Sequence, residues 1–223
     1  MSEKSSIRRA IRRLPVIRDQ IDTTYHVVRV ENDLGMKVAC KKGCAHCCSQ
    51  MVTVTMPEAI GIYLSIVDNR WLLGNVAHWA DTQATLIMRG MTSRQWFRTG
   101  QRCMFLTEDN SCAVYQERPF VCRTLMALET ADNCAPDATD PTVKRPDYTR
   151  AFDHYLNTIK AADEAALPVG MIPLPIAMQW ASIAWIEGRE SLRRHLDRAG
   201  IPAYDLLAHT TFWSVKLGEM EQG

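Results

Sequence analysis

Apolar residues recur three or four apart from the start of the chain: Ile7, Ile11, Leu14, Ile17, Ile21 and Val28. That spacing lines one side of a helix and predicts helix over 5–33, with Pro15 expected to break or kink it because proline removes a donor in mid-helix. The stretch MVTVT (51–55) alternates β-branched residues and reads as one short strand. Thr55 then offers an N-cap, Pro57 falls in the first turn and Glu58 stands three residues after the cap, which predicts a helix running on through AIGIYLSIV. Residues 70–90 read as a further helix with Trp71, Leu72, Val76, Trp79, Leu86 and Ile87 on its apolar side. Residues 99–124 are turn-rich, and 131–147, rich in Pro, Asp and Thr, read as a loop or linker. Helices are expected over 148–165, 175–199 and 203–217, the last two separated by the stop signal Ala199-Gly200-Ile201-Pro202.

The pattern gives a mainly α fold: a small helical domain with a cysteine-rich metal-binding loop core and at most a short β element, plus N- and C-terminal helical extensions. The expected organisation is a helical arm over 1–37, a cysteine-cluster metal-binding domain over 38–134, and a linker with a helical extension over 135–223. Strands and helices do not alternate, which argues against a doubly wound sheet or a TIM barrel, and there is no Gly-rich phosphate loop, HExxH or GxSxG.

Composition narrows the function classes. The 223 residues are 47% hydrophobic, with 26 basic against 25 acidic side chains and a net charge of +1. A fully disordered chain is excluded, and the electrostatic signature of a general nucleic-acid binder is missing. No apolar run approaches the roughly 18 residues a bilayer span needs. Arg8, Arg9, Arg12 and Arg13 form one stripe of the first predicted helix. The stripe suits an anionic partner, but a solvated helix face is the favoured reading, since no aromatic residues interleave it. Trp180, Trp185 and Trp213 read as core aromatics rather than a partner surface. The partner is an unidentified protein or small molecule.

Eight cysteines carry the chemistry. The N-terminus has arginines but no uninterrupted apolar segment and does not read as a secretory signal, so reduced thiols in the cytoplasm are expected. Four of them stand within nine residues, as Cys40-Lys-Lys-Gly-Cys44-Ala-His-Cys47-Cys48. Thiolates three and four residues apart on a tight loop can converge on one centre, Gly43 can supply a positive φ, and Lys41 and Lys42 are placed to favour the thiolate form. Cys47 and Cys48 diverge as neighbours, so one of them is expected to face a second centre or a cluster's far corner. The second group is Cys103, Cys112 and Cys122, followed by Cys134 in a loop. Arg118 and Arg123 flank it and suit either hydrogen bonding to sulfur or ordinary salt bridges. Eight thiols allow two four-cysteine centres, or one such centre plus a further set. The candidate ligands are Cys40, Cys44, Cys47, Cys48, Cys103, Cys112, Cys122 and Cys134. His46 reads as pointing outward, and the other histidines (26, 78, 154, 195 and 209) as structural. No Ser/His/Asp or paired-carboxylate site nominates a catalytic residue.

The spacing C-x3-C-x2-C-C at Cys40–Cys48, then Cys103, then C-x2-Y-x2-R-P-x2-C-R at Cys112–Arg123, resembles the YkgJ-type cysteine-cluster family, the CxxCxxCC zinc- or iron-chelating domain. The likeness covers about residues 38–125, including the short strand and following helix in MVTVTMPEAIGIYL. It implies a metal centre held by the seven cysteines from Cys40 to Cys122, with Arg118 and Arg123 in the motif shell. One branch, the flagellin lysine N-methylases, uses S-adenosylmethionine, but no separate methyltransferase signature is present, so that activity is only an alternative. Cys40-x3-Cys44-x2-Cys47 also has radical S-adenosylmethionine spacing, which without repeated βα units reads as coincidence within the longer pattern. Zinc favours paired CxxC knuckles, and only Cys44–Cys47 forms one, whereas iron–sulfur clusters accept irregular spacing. The expected cofactor is therefore an iron–sulfur cluster of the 4Fe–4S type, serving modification or redox chemistry. The alternative is a zinc-binding structural domain that docks a partner.

Overall fold

The structure, a computed structural model, describes residues 3–30, 37–41, 43–138 and 149–218. Helix α1 (Glu3–Val30) runs unbroken through Pro15. Pro15 is exposed, while Ile7, Ala10, Leu14, Ile17 and Ile21 are buried along the opposite stripe, so packing holds the helix where propensity would interrupt it. The expected break is thus corrected. The expectations for the His26, Val28 and His154 side chains, for Lys42, for residues 31–33 of the first helix and for 139–147 of the linker lie outside the described residues.

Strand β1 (Thr53–Val54) leads into α2 (Met56–Ile66). The cap forms as the sequence signals: Glu58 accepts hydrogen bonds from the Thr55 amide (2.9 Å) and hydroxyl (2.8 Å). Helix α3 (Arg70–Met88) buries Val76, Ala80, Gln83, Ala84 and Ile87. Trp71 and Trp79 lie outside, 76% and 49% exposed, contrary to their expected place on the apolar side. Small residues at helical spacing make this a close-packing face, and the large aromatics fall off it. Short helices α4 (Ser93–Arg98) and α5 (Phe120–Thr124) bracket the second cysteine group.

Helix α6 (Thr149–Glu164) packs along α1, with Arg13 paired to Glu164 at 2.6 Å. Strand β2 (Ile172–Pro173), not expected from the sequence, pairs antiparallel with β1 in the register Val54↔Ile172. Helices α7 (Leu174–Ile186) and α8 (Arg189–Arg198) replace the single helix expected over 175–199. The break is at Gly188, whose φ of 100° a β-carbon disfavours. Helix α9 (Leu206–Leu217) starts at Asp205, whose carboxylate accepts the Ala208 amide at 2.8 Å.

Helices α2 and α7, buried on nearly every side, form the centre; α1, α3, α6 and α8 surround them. One apolar core joins residues from Ile7 to Leu217, and a smaller cluster of Ile17, Ile21, Phe120 and Tyr155 lies beside it. Trp180 and Trp213 are core residues, and Trp185 is covered by Lys4 and Arg8. The basic stripe of α1 is otherwise a solvated face. Among the described residues no helix is long and apolar enough to cross a membrane.

Candidate metal centre

The first cysteine loop is built by local backbone bonds. Gly43 takes a φ of 84°, Cys44 donates to the Lys41 carbonyl (3.1 Å), and His46–Ser49 tighten into a 3-10 turn closed by the Cys48 amide on Ala45 (2.9 Å). Entry to the loop is fixed from a distance. Val38 bridges Leu128, Ala39 donates to Ala127 (2.9 Å), and the Ala127 amide in turn donates to the Cys40 sulfur at 3.2 Å.

The second group is a tight hairpin followed by α5. Leu106 bridges Cys112, and Ala113 donates to Phe105 at 2.8 Å, which sets Cys112 beside the hairpin tip and Cys103 toward its open end. The hairpin tip is knotted by Thr107, Asp109 and Ser111, with Asn110 at a φ of 60°. At α5 the Phe120 amide donates to Glu58 at 2.8 Å. The two cysteine stretches meet where the Cys103 amide donates to the Cys48 carbonyl, also at 2.8 Å. The turn holding Cys134 packs against the one holding Cys47 and Cys48.

All eight cysteines are free thiols, and each is half-buried. Burial, followed by the neighbouring Cys112 and Cys47, pushes the Cys103 thiol up to about 12. Cys122 is raised well above the ordinary thiol range by burial and then by Cys103, Cys47 and Cys112. Cys112 is raised by burial and by Cys47, and Cys47 by its contact with the Cys48 side chain and by burial. Cys47, Cys103, Cys112 and Cys122 therefore lie within one another's electrostatic reach. Arg118 favours thiolate at Cys47, Cys112 and Cys122. Arg118 lies 3.7 Å over the Tyr115 ring and donates through Nε to the Tyr115 carbonyl.

Arg123 faces elsewhere. It donates to the carbonyls of Arg118 and Gln116 and pairs with Asp22 of α1 at 2.5 Å. His46 lines an open cleft beside the loop, and His209 is buried in the core. The sequence reading missed the role of Glu58 at α5 and the clamps from Arg18 to Glu117 and from Asp22 to Arg123. No local signal marks them, because the partners are 62 to 101 residues apart.

Among the described residues no three histidine, cysteine or carboxylate side chains already stand around one point as an ion cage. The donor set nonetheless fits a thiophilic metal. Soft sulfur ligands from both stretches are reduced and partly shielded, with a guanidinium to offset charge. Fold and site thus define a small helical protein built around a cysteine-cluster, metal-chelating module. Residues 39–141, just under half of the chain, match the family model described as "CxxCxxCC: Putative zinc- or iron-chelating domain". No curated protein and no solved structure matches the chain.

Proposed function

We propose that the domain holds an iron–sulfur cluster of the 4Fe–4S type, with Cys47, Cys103, Cys112 and Cys122 as the inner thiolates. Cys40, Cys44, Cys48 and Cys134 form the remaining set. The observation that carries this reading is the meeting of the two stretches at Cys48 and Cys103, with the Cys103, Cys112 and Cys122 thiols each pushed up by burial and then by neighbouring thiols. A bound cation reverses that balance, since thiolates repel one another until a metal lies between them. Loading therefore releases protons and draws the side chains together. Irregular spacing across a hairpin and a short helix suits a cluster better than a pair of zinc knuckles. When bound, the cluster supplies one-electron or Lewis-acid chemistry. The chain supplies its grip, a partly dry setting and the positive charge of Arg118. Eight free thiols fit a reducing compartment, the cytoplasm.

Anaerobic purification with iron, acid-labile sulfide and zinc quantified per chain tests this. Iron and sulfide in equal amounts, with the brown visible absorption of a cluster, are expected. A colourless protein carrying stoichiometric zinc after anaerobic reconstitution would overturn the cluster in favour of a structural zinc site. Cys44→Ser and Cys122→Ser are each expected to lose metal and solubility, because binding is coupled to folding. Full metal content in both variants removes these cysteines from the ligand set.

A further inference from the structure

An open cleft of about 450 Å³ lies against the first cysteine loop. Its walls include Lys41, Cys44 and His46 from that loop, Arg102 and Asn110 from the second stretch, and Asp132. We propose that this cleft binds a small organic anion, carrying carboxylate or phosphate, beside Cys44. The inference rests on the metal-centre reading only for what the anion would meet at Cys44; the cleft and its charges stand on their own.

Among the described residues, two cations from separate stretches line one space, against the single carboxylate of Asp132. Among the described residues neither Lys41 nor Arg102 has a carboxylate within salt-bridge distance. Arg102 is held in place from both ends. Its carbonyl accepts the amide of Gln83, 1% exposed, at 2.7 Å, and its guanidinium donates to Asn110 at 2.9 Å. A guanidinium has five N–H donors, so most of its fork is left to meet a ligand. His46 and Ser49 also line the cleft. The two cations suit an anionic occupant. The volume falls in the range of ~300–1,000 Å³ typical of small-molecule sites, room for a metabolite-sized anion rather than a bare inorganic ion. The Cys44 sulfur on the wall brings any such ligand next to the metal-binding loop.

The test uses the full chain, metal-loaded, titrated by calorimetry with succinate and with glycerol 3-phosphate. Glycerol serves as the uncharged control. Saturable binding of one or both anions and none of glycerol is expected, weakening as salt rises. Preference between the two probes identifies the carboxylate or the phosphate source. Arg102→Gln and Lys41→Gln are each expected to weaken binding about tenfold, as loss of one charge-assisted contact does, and in Arg102→Gln metal content per chain stays at the wild-type value. Arg102→Lys is expected to recover part of the affinity. Failure of both anions to bind, or unchanged affinity in both glutamine variants, overturns the proposal. Should the chain hold no metal yet bind an anion in an Arg102-dependent way, the cleft stands and the metal centre falls. Should metal be held and neither anion bind, the cleft alone falls.

Discussion

Replacing Glu58 is expected to weaken the fold and the cysteine centre together. Its carboxylate is buried, 4% exposed, and accepts three hydrogen bonds: from the Thr55 amide, the Thr55 hydroxyl and the Phe120 amide 62 residues away. Both amides belong to buried residues, Thr55 at 0% and Phe120 at 4%. Glu58→Ala leaves two buried N–H groups without acceptors. At ~1–3 kcal/mol for each, the loss is about 4 kcal/mol. For a chain of this size ~1 kcal/mol moves the melting temperature by about 2–4 °C, so a drop of about 8–16 °C follows. Glu58→Gln keeps the shape but turns an amide N–H toward Thr55 or Phe120, which costs about 2 kcal/mol. Because α5 carries Cys122, both variants should also lose metal to a chelator faster than wild type. Thermal and urea unfolding measure the first effect, and metal release under chelator challenge the second. Glu58→Ala within about 1 kcal/mol of wild type would refute the reasoning, since the three bonds would then carry no net stability.

Stability should fall with acid through His209. Burial holds this imidazole down at about 4, against the opposing pull of the Met171 backbone. Its folded affinity for protons lies below that of the unfolded chain, so the contribution is intact above pH ~6.5 and fades toward pH ~4, by about 3 kcal/mol in all. Urea unfolding at pH 7.5 and 5 should show the loss in wild type and a smaller one in His209→Leu; equal slopes would remove His209 as the cause. Gly170→Ala should destabilise by about 1–3 kcal/mol: its φ is 91°, and an added β-carbon would stand 3.0 Å from the His209 ring and 3.1 Å from Leu206. A melting temperature equal to wild type would show that the Gly170 turn can relax.

Legibility in the sequence followed the range of the interactions. The cap at Thr55–Glu58, the buried stripe of α1 and the stop before α9 depend on residues a few positions apart, and local spacing displays them. The face of α3 does not follow from residue type, because Ala80, Gln83 and Ala84 are buried while Trp71 and Trp79 are not. Only the tertiary partner decides which side is inner. Strand β2 was hidden for a similar reason: Ile172–Pro173 is extended because Val54 lies opposite. The clustering of Cys40, Cys44, Cys47 and Cys48 is visible at once in the sequence. Their approach to Cys103 depends on one backbone bond between distant stretches, and a list of spacings holds no trace of it. Arg118 and Arg123 looked equivalent on the page, yet one faces the thiols and the other faces α1.

That division explains why helices outside the matched stretch matter to the cysteines. From α1, Arg18 pairs with Glu117 and Asp22 with Arg123, so two clamps from one helix grip the chain on either side of Cys122. Arg123 passes the restraint on by donating to the carbonyl of Arg118 at 2.8 Å, and the Arg118 guanidinium is the positive charge felt by three of the thiols. Beside this chain, Phe120 packs with Ile17 and Ile21 of α1 and stacks on Tyr155 of α6 at 4.3 Å. Side chains two positions before and one after Cys122 are therefore anchored by elements on either side of the cysteine domain. A set of thiols assembled from a loop, a hairpin and a five-residue helix has little rigidity of its own. The flanking helices supply that rigidity, and through Arg118 they also fix where the compensating charge stands.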